Sequence, residues 1–441
     1  MITIIFYILI LVFYASFLFG FLPTLYVTHY DQARVFGLII YIAIISLYGL
    51  KNNNKVSLNK GFCLYSLLVL VYLSISILFH SYPNFSLTEF VMLYLLAYAT
   101  YVFSGIDHEQ KNLDIFLLIL CLLPIYNILL FFICVYMSFN TGVLVSWHGW
   151  ADNYRFFDSM LLFPIFLCLY FTDKFTKYSK LFYILYFIFI LTLFFDGARS
   201  ALVSILVSIV VGYILFKNKR KTILISIFIV ALAYFMHIIY LKFTKLTINT
   251  ITRSDSSGRY ELWIYGLNRF LEKPFFGHGG ANFSLDTQIF LTSPHNLIIQ
   301  FISEWGVGGI LLGFLLFWLY FYLFKNIKNL SPFILLCAMA ILIDGLFSGL
   351  FILPMSQINF MLVISLLLNQ INQQRNTKNL RPSFDNHFYK YIFYTVALFC
   401  VGYFLLFHWA DITCLNCMGM EGVNTPRFWR GGKSLHLQEI D

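Results

Sequence analysis

About thirteen apolar stretches follow one another along this chain, each close to the roughly 20 residues that carry a helix across a hydrocarbon layer. They lie near 2–22, 35–50, 62–79, 87–105, 115–137, 158–172, 181–196, 200–216, 223–241, 297–324, 331–350, 355–369 and 391–407. In lipid every backbone N–H and C=O must be satisfied inside the protein, which leaves only helices or a closed barrel, and long unalternating runs predict helices. The expected fold is all-α, a polytopic transmembrane helical bundle of about 12–13 spans. Composition excludes a soluble alternative. The chain is 60% hydrophobic and 11% charged, with a mean hydropathy of +0.80, where soluble chains carry roughly 25% charge. The run from Ile2 has no basic leader and no small-residue cleavage site, so it reads as a first span.

Basic residues set an orientation. Lys51, Lys55, Lys60, Lys111, Lys174, Lys177, Lys180, Lys217, Lys219, Arg220, Lys221, Lys325, Lys328, Arg375, Lys378, Arg381 and Lys390 all fall in alternate connections on one side. By the positive-inside rule that side is cytoplasmic, which puts the amino terminus inside and the tail outside. The sequence then divides into an N-terminal bundle (1–180), a core (181–330) with a long outer loop (242–296), C-terminal spans (331–407) and an outer tail (408–441). The long loop holds Lys242, Lys245, Arg253, Arg259, Arg269 and Lys273. Long loops are translocated largely regardless of charge, so this basic content has either a bland reading or a functional one.

Six cysteines (Cys63, Cys121, Cys134, Cys168, Cys337 and Cys400) lie inside apolar runs and read as small hydrophobes. Cys414 and Cys417 form a C-x-x-C in the tail. It could be a redox pair or half of a metal site, but with no second pair to complete a zinc site it reads first as structural or incidental.

Three segments at the outer face combine polar groups with glycine or proline: Asp196-Gly-Ala-Arg199-Ser200; Ser256-Ser-Gly-Arg259-Tyr with Lys273-Pro-Phe-Phe-Gly277-His-Gly-Gly280; and Pro294-His295-Asn296. Arg199 sits in a short turn between apolar helices, where a guanidinium needs a partner. It either pairs with Asp196 and closes the hairpin, or uses its planar fork on phosphate oxygens. Gly258 to Glu272 has helical periodicity, capped by Ser256 or Ser257 and ended by Pro274. Its mixture of aromatic and basic residues predicts an amphipathic helix lying in the interface, with its amino end near Arg259 directed at an anion. His295 precedes the span from Leu297 and reads as an interfacial or capping residue or as a catalyst. Asn296 follows it, and Gly306 and Gly309 are placed to let a helix approach closely. Glu304 faces away from His295 at 100° per residue, so the two are not a relay pair. Asp344, an acid inside a span, is either a functional group or a hydrogen bond between helices.

The run His295-Asn296, Gly306, Gly309 fits H-[NSQ]-x9-G-x-x-[GTY] at every position and resembles the signature of the O-antigen ligases. Ser257, Gly258, Arg259, Trp263, Pro274, Gly277 and Gly279 resemble the pattern of the wider superfamily, which also holds O-antigen polymerases and protein oligosaccharyltransferases. The resemblance covers about Leu181 to Phe324. It implies a metal-independent, inverting glycosyl transfer without a cofactor, from an undecaprenyl-diphosphate-linked glycan to lipid A-core or to a lipid-linked repeat unit. It also implies a bacterial inner membrane, an active site facing the periplasm, membrane lipid as surroundings and no nucleic-acid partner. Arg199 resembles the essential arginine after a span, Arg259 the loop arginine with Arg253 as the alternative, and His295 the essential histidine. An extra last span and a tail of about thirty residues depart from the family and leave the acceptor open.

On this reading Arg199 and Arg259 clamp the diphosphate, and His295, whose side chain ordinarily titrates near pH 6.5, is the general base supported by Asn296 or Asp344. The outer loops hold no D-x-D and only the scattered acids Asp255, Glu261, Glu272 and Asp286. No Walker A motif is present. A ligase is the first expectation, followed by a repeat-unit polymerase, a protein O-oligosaccharyltransferase and a non-enzymatic transporter of lipid-linked sugar. The transporter lacks the internal repeats such proteins show.

Overall fold

The computed structural model describes residues 2–19, 25–26, 29–49, 60–142, 145, 147–148, 154–244, 258–281, 283, 293–349, 351–377 and 387–415. Every regular element among them is helical, as the apolar runs require. Among the described residues nine helical stretches are long and apolar enough to cross a membrane, and Thr3–Leu18, Arg199–Leu215 and Pro332–Gly345 are shorter apolar ones. The chain is a multi-pass membrane protein.

Two compact units, neither continuous in sequence, make up the chain: Met1–Pro23 with Asp107–Asp255 and Ser331–Asp344, and Thr24–Ile106 with Ser256–Leu330 and Gly345–Asp441. In the first, Tyr154–Lys174 packs beside Ser179–Asp196, which in turn packs on Arg220–Thr244. Lipid is as apolar as leucine, so close packing rather than water exclusion holds such helices together. At Gly212 the fit leaves no room for a side chain, since a Cβ there would lie 2.6 Å from Leu336 Cδ1. One end of this unit carries charge: Lys219 Nζ donates to both Asp173 carboxylate oxygens at 2.7 Å, and Lys174 binds Asp114. A single apolar stretch predicted at 115–137 is two helices, Gln110–Leu122 and Ile125–Thr141, because the ring of Pro124 carries no N–H to continue the ladder.

In the second unit Pro83–Ser104 is the central helix, packed against His29–Tyr48, Pro354–Thr377 and His387–Phe407. Pro83 opens it at a position where a missing N–H costs nothing. At one end Asn369 Nδ2 donates to the Ser104 and Ile106 carbonyls, both at 2.9 Å, and Gln374 Nε2 donates to Asn329 O at 3.0 Å. At the other end Thr88 Oγ1 lies 3.1 Å from His408 Nε2 and Tyr26 OH donates to Ile412 O. Arg34, 1% exposed, fastens this end: Nη1 donates to Gln357 Oε1 at 2.9 Å, and Nη2 to Tyr30 OH at 2.8 Å and to the Ile352 carbonyl.

The stretch predicted as one span at 297–324 is divided. Leu297–Trp305 is a half-helix and Val307–Lys325 the full-length one, with Gly306 between them at φ 56°, ψ −131°. That backbone region is essentially closed to residues with a Cβ.

Candidate functional site

The break at Gly306 is made by backbone hydrogen bonds to a distant loop. Val307 N–H is shared between the Pro274 and Phe275 carbonyls at 2.9 and 3.0 Å, His278 N–H donates to Ser303 O at 3.2 Å, and Gly279 N–H donates to Glu304 O at 2.7 Å. The loop 273–280 thus takes up the groups freed where the helix unwinds, which is the condition for irregular backbone near lipid. Glycine is needed on both sides of this clasp. A Cβ on Gly306 would sit 2.5 Å from the Pro274 and Phe275 carbonyl oxygens. Gly309 lies against the first half-helix, where a Cβ would meet Phe301 O at 1.9 Å. The pair Gly306 and Gly309 therefore serves a fold-back within one apolar stretch.

The half-helix presents His295 at its start. Asn296 is the N-cap, and its Oδ1 accepts from Ile298 N–H at 3.0 Å and Ile299 N–H at 3.1 Å. His295 itself is half-buried with φ 50°, and only Ala281 shares a positive φ among the described residues other than glycine. This conformation costs a residue with a Cβ about 1–2 kcal/mol and is kept where surrounding contacts enforce it. Those contacts are visible. His295 N–H donates to Ser293 Oγ at 3.3 Å, and Trp263 Nε1–H donates to Pro294 O at 3.0 Å.

Trp263 belongs to the helix Arg259–Glu272, the amphipathic helix anticipated for the outer loop. Leu262 and Gly266 face the protein, and a Cβ on Gly266 would lie 2.4 Å from Ile299 of the half-helix. Tyr260, Ile264, Leu267 and Leu271 are exposed on another face, in keeping with a helix bedded in the interface. Its N-cap is Gly258 in the left-handed conformation, with no side-chain cap; Ser256 and Ser257, expected to cap it, lie outside the described residues. Arg259 is the first helical residue and, four before Trp263, shares its face. The helix ends at Glu272, just before Lys273 and Pro274.

Arg199 stands in the first unit. Helix Ser179–Asp196 closes with Gly197 at φ 66°, where Gly197 N–H reaches Phe194 O and Ala198 N–H reaches Leu193 O, a Schellman turn. The next helix begins at Arg199, again without a side-chain cap. Asp196 is engaged by His148, whose Nε2 binds its Oδ1. Burial pushes the His148 imidazole down to about 4. Asp344, 2% exposed, accepts from Ser159 Oγ at 2.9 Å, so this acid does join two helices. Asp158, 3% exposed, completes the buried acidic group of this unit. Arg253 lies outside the described residues.

Sequence reasoning passed over His148, Asp158, Arg34 and His80. A histidine flanked by tryptophan and glycine between spans, and an acid within the following helix, were signals of the kind that singled out Asp344. His80 lies in the turn between Lys60–Ile77 and Pro83–Ser104. Its Nε2 donates to Phe276 O at 2.9 Å, fixing the loop 273–280 to that turn, and burial lowers its pKa. His278 Nε2 donates to Arg269 O at 3.0 Å; burial first, then Arg269 and Lys273, push its imidazole down to about 4. Cys414 is disulfide-bonded, while Cys417 lies outside the described residues. Among the described residues no three His, Cys, Asp or Glu side chains converge in a way that could hold a metal ion.

Residues 184–314 match the O-antigen ligase family. This segment of the chain resembles an O-antigen ligase domain. The match begins within Ser179–Asp196 and ends within Val307–Lys325, so it contains Arg199, Arg259, Trp263, His295, Gly306 and Gly309 and leaves Asp344 outside. A ComP-specific O-oligosaccharyltransferase of Acinetobacter baylyi is 26% identical over 241 residues, which are 51% of this chain and 43% of that relative. The match to that relative thus spans less than half its length. The O-antigen ligase domain and this relative place the chain in one superfamily of membrane proteins.

Proposed function

We propose that this protein is an O-antigen ligase, moving a glycan with inversion from undecaprenyl diphosphate onto lipid A-core at the periplasmic face of the inner membrane. The observation that carries the reading is that Arg199 and Arg259 each open a helix that has no side-chain cap. A helix amino end is already electropositive, so a cation there is unfavourable by itself and favourable once an anion is bound. Each such end suits an anionic group of the kind the donor carries. The forked guanidinium groups add bidentate hydrogen bonds and stabilise the charge that develops on the leaving diphosphate.

His295 supplies the base. It takes the proton of the acceptor hydroxyl as that oxygen attacks the anomeric carbon and the bond to the diphosphate oxygen breaks. Asn296 acts through the backbone, by fixing where the half-helix begins. The disulfide at Cys414 supports the periplasmic side, because such bonds persist in oxidising compartments. Within the second unit the tail near Cys414 and the His295 segment belong to the same end. Ile412 and His408 bind Tyr26 and Thr88, and the turn holding His80 near Thr88 binds the loop 273–280, which clasps the half-helix.

A protein acceptor is the second reading, favoured by the similarity to the ComP-specific O-oligosaccharyltransferase of Acinetobacter baylyi. Purified protein in excess chelator, given an undecaprenyl-diphosphate-linked glycan and offered lipid A-core, a second lipid-linked repeat or a pilin-like protein, tests all of these. Transfer to lipid A-core is expected. Transfer only to the repeat or the protein would reassign the acceptor, and a requirement for added magnesium or manganese would refute the arginine mechanism.

A further inference from the structure

The peptide group joining Pro294 to His295 is held at both ends. Its carbonyl oxygen accepts from the Trp263 indole N–H at 3.0 Å, and its N–H donates to Ser293 Oγ at 3.3 Å. The orientation of that plane sets φ of His295, which stands at 50°. Asn296 fixes the following residues by capping the half-helix. Histidine enters this region more readily than most residues with a Cβ, but it remains uncommon there and is kept where neighbours hold it.

Trp263 is suited to the task. Indole N–H donates and cannot accept, so its bond to Pro294 O has one sense only. The ring lies against Phe347, centroids 6.4 Å apart, and its helix is pressed to the half-helix at Gly266 and Ile299. An interfacial tryptophan ordinarily directs its N–H to lipid headgroups; this one spends it on the residue before His295. Arg259 lies one helical turn away on the same face.

We infer that Trp263 is a positioning residue that holds the His295 backbone in its left-handed conformation and ties it to the helix that begins with Arg259. The inference rests on the reading of His295 as the base. This hydrogen bond, together with the packing of Gly266 on Ile299, couples the Arg259 helix to the segment that carries the base.

The test uses the full-length protein with Trp263→Phe, which keeps the ring and loses the N–H, and Trp263→His, which keeps a ring N–H. With an undecaprenyl-diphosphate-linked glycan and lipid A-core, Trp263→Phe lowers kcat roughly ten- to hundredfold with little change in the donor KM, as expected of a misplaced reacting group. Trp263→His recovers part of the loss. Added to His295→Ala, the Phe substitution causes no further loss, because it acts only through the imidazole. Hydrogen exchange of the amides at Ile298 and Ile299, read by mass spectrometry without any substrate, becomes faster in Trp263→Phe while the unfolding temperature of the whole protein is retained. Unchanged exchange at those amides, or an equal fall in kcat in the His295→Ala background, would overturn the inference. If His295→Ala proved fully active, the base assignment would fail, and the exchange measurement would still decide whether Trp263 holds this segment.

Discussion

Gly277 and Glu304 lie in backbone contact: a Cβ on Gly277 would stand 2.3 Å from the Glu304 carbonyl oxygen and 2.6 Å from Gly306 N. Gly277 also has φ 74°, so space and dihedral both demand glycine. Alanine at Gly277 or Gly306 is expected to destabilise the protein by about 2–4 kcal/mol, adding backbone strain to overpacking. Gly313, inside Val307–Lys325 with nothing within 4 Å of its Cβ position, is the control, and alanine there is neutral or stabilising by up to ~1 kcal/mol. Thermal unfolding in detergent decides the matter, and equal shifts at all three positions would contradict the clasp.

The two arginines and the histidine fail differently. Arg199→Lys and Arg259→Lys retain charge and lose the fork, so each should lose most of its activity together with donor affinity. His295→Ala should bind the lipid-linked donor as the wild type does while turnover falls about 10²–10⁴-fold. Donor binding measured beside single-turnover transfer separates the two patterns. Loss of binding in His295→Ala would make the imidazole a phosphate ligand.

Acid should weaken the loop through His278. Its pKa falls from 6.5 to about 4 on folding, so between those values the unfolded chain binds the extra proton. The stabilisation is complete above pH 6.5 and is lost as pH falls toward 4. At ~1.4 kcal/mol per pKa unit it amounts to at most about 3.5 kcal/mol, less whatever solvent screens. Unfolding measured from pH 7 to pH 4 should show a shallower slope in His278→Gln, and parallel curves would remove His278 from the account.

Sidedness is open to direct labelling. A reporter fused after Lys221 should read cytoplasmic and one near Asp286 external. In intact cells a membrane-impermeant thiol reagent should modify Cys414 only after treatment with an impermeant reductant. Labelling confined to permeabilised cells would invert the proposed orientation.

The membrane-spanning character was legible because runs of about 20 apolar residues can do little else. The helix Arg259–Glu272 was legible too, from its periodicity and from Pro274 after it. The break at Gly306 was not. Glycine is common in membrane helices, and both Leu297–Trp305 and Val307–Lys325 are apolar, so nothing local marks a division. What divides them is a set of hydrogen bonds to residues 274–279, a partnership that no local pattern encodes. His148 and Asp196 illustrate the same limit. They are 48 residues apart, and the charge rule gives the side of the membrane on which each lies without saying which groups meet. Trp263 was legible as part of a motif, while its bond to Pro294 O depends on how the loop returns to the half-helix.

The clasp also dictates an order of events during synthesis. When Pro274 and Phe275 leave the ribosome, the N–H that their carbonyls share, that of Val307, has not yet been made, and the carbonyls awaiting His278 and Gly279 belong to Ser303 and Glu304. The loop therefore cannot mature by itself. It waits for the apolar stretch from Leu297 to Lys325 to arrive, and that stretch, delivered to the membrane as one hydrophobic segment, gives up its first nine residues to the loop only once the two meet. A chain truncated shortly after His295 would have every residue proposed for the chemistry and none of the half-helix backbone groups that clasp the loop.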